Sequence, residues 1–199
     1  MVSRRSAEAL VFAAFACLAS DSWAKVDVKV ERWLGRKTIG ILEAGDRVEV
    51  FTVGETPVGR RGYADQITNA PFQQETPAAI QRYPVRRVAA SQDRAFAQQI
   101  ARLVLDEHSY EPRMFPFGRS IAKGCILRPG VAFRVWARKQ AVDVLLCFHC
   151  DQVAIAPADG SKQMLSGDID PARAAFVRLA KQALPDIPEI AKLSEVRPN

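Results

Sequence analysis

The sequence predicts an α+β domain: a mainly antiparallel sheet with one mid-chain helix and one C-terminal helix packed on it. Three observations predict it. Val131, Phe133 and Val135 share one parity, as do Val142, Val144, Leu146 and Phe148 after Arg138-Lys139-Gln140, the pattern of two hairpin arms facing a core. Phe96, Ile100, Leu103 and Val104 form one apolar stripe at helical spacing. Asp170-Pro171 opens and Pro185 closes a last helical run, with Phe176, Leu179, Ala180 and Ala183 as its inner stripe.

In chain order, residues 1–24 read as an export signal. Arg4 and Arg5 precede an apolar run too short to span a bilayer, and Ser22-Trp23-Ala24 has small residues where a signal peptidase reads. Cleavage before Lys25 places residues 25–199 in a periplasmic or extracellular compartment, without a transmembrane helix in the mature chain. A lipoprotein anchored through Cys17 is the weaker variant, since Ala14-Phe15-Ala16 lacks the leucine expected ahead of the cysteine.

Residues 25–199 read as one domain. The part over 25–90 reads as β-rich. Residues 25–30 (KVDVKV) alternate strictly, and residues 39–42 and 48–53 follow as strands around the turn Ala44-Gly45-Asp46. Gly35-Arg36-Lys37-Thr38 lacks the glycines of a phosphate loop. Residues 54–80 are broken by glycine and proline and read as an irregular loop, with a short helix over 77–81. A strand over 83–90 leads into the helix over 92–106, with Ser91 as its cap.

The part over 91–199 reads as helix, β-meander, helix. A hairpin centred on Arg138-Lys139-Gln140 pairs Cys147 with Val131 and brings Cys150 near Arg128. After Cys150 the apolar parity switches to Val153 and Ile155, which a bulge near residues 149–152 would explain. Asp159-Gly160 marks a second hairpin returning over 162–165. Asp170 caps the last long helix, and a helical turn over 188–193 ends the fold.

The candidate functional residues cluster in this second half. Cys125, Cys147 and Cys150 remain after export, where a disulfide is the default, and Cys125–Cys150 fits the hairpin register best. Cys147-Phe148-His149-Cys150 has the spacing of a redox dithiol but no helix after it to lower a thiol pKa. Cys125, Cys147, His149 and Cys150 together have the number and kind of ligands zinc takes. The chain otherwise calls for no cofactor. Residues 59–139 hold fourteen basic against six acidic side chains, a local net of +8 in a chain of net +6. Arg82, Arg86, Arg87 and Arg128 are the candidate anion-binding residues there, although their scatter fits a solvated surface better.

The run VDVLLCFHCDQVAI, preceded by Cys125 and Pro129-Gly130-Val131 and followed by Asp170-Pro171-Ala172-Arg173, resembles a family of uncharacterised exported bacterial proteins. The resemblance covers the C-terminal half from Ser91 onward and implies a recurring domain with its cysteines as signature, but no activity. The expectation is a non-enzymatic, envelope-associated binding or structural domain stabilised by a disulfide. The alternative is a thiol-redox or zinc protein built on Cys125, Cys147 and Cys150. An envelope protein or an anionic polymer is the expected kind of partner.

Overall fold

The structure is a computed structural model and describes residues 25–54, 78–112 and 126–197. The expected export signal over residues 1–24, most of the expected loop over 54–80, and Cys17 and Cys125 lie outside the described residues. Seven strands form one antiparallel sheet in the order β2-β3-β1-β4-β5-β6-β7. They are β1 Arg47–Val53, β2 Ala79–Ile80, β3 Tyr83–Val88, β4 Val131–Ala137, β5 Gln140–Cys147, β6 Gln152–Pro157 and β7 Leu165–Asp168. The described helices are α1 Val28–Leu34, α2 Arg36–Glu43, α3 Arg94–Leu105, α4 Arg173–Ala183 and α5 Pro188–Ala191. None is long and apolar enough to cross a membrane.

All five helices pack into one core with one face of the sheet. Val48 and Val50, Phe133 and Val135, Val142, Val144 and Leu146, and Val153 and Ile155 meet Leu42, Phe96, Ile100 and Phe176 there. The opposite parity carries a smaller cluster of Phe51, Val53, Ile80, Tyr83, Ala132, Leu145 and Ala154. Residues 141–147 of β5 are therefore buried on both faces.

On this second face Arg134 lies directly opposite Asp143 in the β4–β5 ladder. Its guanidinium donates to both carboxylate oxygens, at 2.7 and 3.1 Å. Gln81, in the β2–β3 turn, donates from Nε2 to Asp143 Oδ2 at 2.8 Å and to the Pro157 carbonyl at 3.0 Å. The β2–β3 end of the sheet thus reaches β5 and β6, and the sheet curls. Gln81 holds this position at φ +55, a left-handed conformation unusual for a side-chain-bearing residue.

The α+β architecture and the antiparallel sheet agree with the sequence reading, but the helix count does not. Residues 28–30 and 39–42 are helical instead of extended, and residues 25–27 lead into the first helix without forming a strand. Asp27 accepts from Lys29 N at 2.7 Å and caps α1, so the apparent alternation gives way to the buried pair Val30 and Leu34 at i, i+4. Gly35 at φ +78 separates α1 from α2, which buries Thr38, Ile39, Ile41 and Leu42. Residues 79–80 form a strand where a short helix was expected, because they pair with Tyr83 and Pro84.

The cap of α3 is Asp93, which accepts from Phe96 N at 3.0 Å, and not Ser91. Gln92 is held one step earlier by a two-way backbone bridge to Val48. Ile169 precedes a 3-10 turn at Asp170–Ala172, so Asp170 starts that turn and α4 itself begins at Arg173. The second hairpin returns through β7, three residues later than 162–165.

Candidate functional site at the turn between β5 and β6

The parity switch after Cys150 is a chain reversal and not a bulge. β5 ends at Cys147, which pairs with Gln152 at the start of β6, and residues 148–151 form the turn between them. A tight reversal and an inserted residue leave the same signature in a one-dimensional pattern. The β4–β5 register is also one residue from the expected one. Val131 faces Leu146, not Cys147, because that pairing keeps Val131, Phe133 and Val135 on one face with Val142, Val144 and Leu146.

This geometry sends the turn residues in different directions. Cys147 is a buried free thiol, so no bridge joins it to Cys150. Two residues on from Leu145, it faces the smaller cluster beside Tyr83. Burial pushes the Tyr83 hydroxyl above its ordinary pKa; Arg82 opposes this and the Cys147 sulfur adds to it. His149 sits exposed at the tip of the turn. Cys150 is 1% exposed, and its sulfur lies 3.8 Å from the carbonyl oxygen of Ile126.

Asp151 closes the turn at φ +53, and its side chain is buried. Its Oδ1 accepts a hydrogen bond from Arg173 Nη1, at the start of α4. The same Arg173 nitrogen donates to the Phe148 carbonyl at 2.7 Å, and Arg173 Nε donates to the Ser194 carbonyl at 3.1 Å. Ile169 N donates to the Asp151 carbonyl at 2.7 Å. Arg197 Nε lies 3.8 Å from Asp151 Oδ2, and Arg197 Nη1 lies 4.0 Å from Asp170 Oδ1. One buried guanidinium therefore ties the turn, the head of α4 and the C-terminal tail together.

Burial raises the Asp151 pKa above its ordinary value; the hydrogen bond from Arg173 opposes this, and Asp170 alongside pushes it further up. The cluster sets Asp151 and Arg173, both buried, beside the half-exposed Asp170 and Arg197. Its hydrogen bonds run between parts of the fold, which makes it a clamp on the turn.

The structure brings together the two sequence runs, CFHCD and DPAR, that carried the family resemblance. Of the expected zinc set, Cys125 lies outside the described residues, Cys147 faces the second cluster and His149 faces solvent; among the described residues no group of three or more His, Cys, Asp or Glu side chains is arranged to hold a metal. Arg82, Arg86, Arg87 and Arg128 are all exposed, on the β2–β3 turn, on β3 and on the segment before β4. Arg86 is the extra residue where the β1–β3 register shifts.

Sequence reasoning missed Asp151, Arg173, Arg134, Asp143 and Gln81. A correct hairpin register would have put Arg134 against Asp143. Nothing in the sequence signals the reach of Gln81 or Arg173. Comparison with family models, curated proteins and solved structures gives no match for this chain.

Proposed function

We propose that this chain is an exported, envelope-associated, non-enzymatic domain that binds a partner or braces an envelope component, held rigid by a Cys125–Cys150 disulfide. The observation that carries this reading is the position of Cys150. Its sulfur is 3.8 Å from the carbonyl of Ile126, the residue that follows Cys125 in the chain. Cys147 is a buried free thiol, which leaves Cys150 as the described cysteine that fits the bridge. Such a bridge closes a loop on the approach to β4 and reinforces the turn that Arg173 already clamps. On the chain-entropy model it adds about 3 kcal/mol.

The buried ionisable pairs fit the same reading. Asp143 is bonded by Arg134 and Gln81, and Asp151 by Arg173, so each binds one part of the fold to another.

Intact mass of the exported protein, with alkylation before and after reduction, tests the proposal. Cleavage before Lys25, one thiol alkylated under denaturing non-reducing conditions and three after reduction are expected, matching Cys125, Cys147 and Cys150. Three free thiols at the outset, or zinc carried through purification, overturns the bridge and moves the reading to a thiol or zinc protein.

A further inference from the structure

We propose that the groove between α3 and α4 takes an acidic peptide segment of a partner protein, with an apolar side chain seated between the helices. The proposal rests on the reading of the chain as a binding domain and names the class of partner. The groove has a volume of about 380 Å³, toward the small end of the roughly 300–1,000 Å³ range of ligand sites and suited to one or two side chains. Leu103, Ala175 and Leu179 contribute its apolar surface, and Gln99, Arg102, Arg178 and Gln182 its polar surface.

The charge of the two helices selects the partner. α3 carries Arg94 and Arg102, and α4 carries Arg178 and Lys181 besides the buried Arg173, whose guanidinium is taken up by Asp151; neither helix contains an Asp or a Glu. The acids at the ends of α3 have local partners: Asp93 accepts from Phe96 N, and Asp106 accepts from His108 N. Guanidinium forks suit carboxylates, and the Gln99 and Gln182 amides can pair with a peptide backbone. That combination favours a peptide over a lipid headgroup.

The chain already shows one carboxylate in this role. Glu195, from the C-terminal tail, meets Arg178 Nη1 at 2.7 Å although both side chains are largely exposed, at 43% and 60%. An exposed pair of this kind holds weakly. Glu195 acts as a built-in placeholder that a partner's carboxylate displaces.

The test uses the exported full chain and a fluorescein-labelled peptide, Glu-Leu-Glu-Glu-Leu-Glu, followed by anisotropy. Saturable binding that weakens with salt is expected, with no binding of the Lys-for-Glu peptide. Arg178→Ala should weaken binding by about tenfold, the loss of one charge-assisted contact. Glu195→Ala should tighten it severalfold, which a merely structural tail would not do. Both residues are exposed, and circular dichroism checks that the variants fold. Absence of binding, equal binding of the basic peptide, weaker binding by Glu195→Ala, or preference for phosphatidylglycerol vesicles overturns the proposal. If the alkylation pattern still shows the bridge, only the groove falls and the domain reading stands.

Discussion

Two buried arginine–aspartate pairs hold this molecule together, and they are built in different ways. Arg134 and Asp143 face each other across neighbouring strands, so their meeting follows directly from hairpin register. Arg173 and Asp151 stand on a helix and a turn, and only the tertiary fold makes them neighbours. The first pair is a local consequence of sheet geometry. The second is a long-range clamp that gathers the turn, α4 and the tail.

That contrast sets the sizes of the expected effects. Arg173→Ala should be the most damaging change. It leaves Asp151 buried without its main cation and frees the Phe148 and Ser194 carbonyls, so a loss of about 5 kcal/mol in urea unfolding is expected, the upper end for a broken buried pair. Arg134→Ala should cost less, about 3 kcal/mol, because Gln81 still donates to Asp143. If the two losses come out in the reverse order, the sheet pair is the keystone and the clamp is secondary.

Gln81→Ala should cost about 1.5 kcal/mol for its bonds to Asp143 and Pro157. Gln81→Gly should cost less than the alanine change, because glycine is at ease at φ +55. Equal losses would show that the bonds alone matter.

The smallest expected effect is a pH slope. Asp151 has a folded-state pKa raised by burial, so protonation favours the folded state. Its stabilising contribution is fully present below the ordinary carboxylate value and is lost as pH rises through the raised one. The stability of the natural chain relative to Asp151→Asn should therefore fall across that window, as read by urea melts at a series of pH values. A difference that grows with pH would mean that Arg173 outweighs burial.

The strands and hairpins were the legible part of the sequence. β1, β4 and β5 were expected from their apolar residues, and α3 and α4 from a helical stripe, because each buries an apolar face; β3 is exposed over residues 86–88 and has no such periodic face. α1 and α2 were illegible for the opposite reason. They are short, and the six alternating residues over 25–30 weigh as much in a strand pattern as the cap at Asp27 does in a helix pattern. The site was half legible. The cysteines and the DPAR run drew notice, but Asp151 and Arg173 are 22 residues apart and no periodic rule links them.

The lateral limits of the sheet have a consequence for life at high concentration. Among the described residues β2 offers two residues and β7 four, so neither of these border strands presents a long row of open backbone groups. Short borders of this kind discourage a second copy from docking sideways and extending the array into a fibre. The long strands β4 and β5, which would make the most adhesive templates, are shielded in the interior of the ladder.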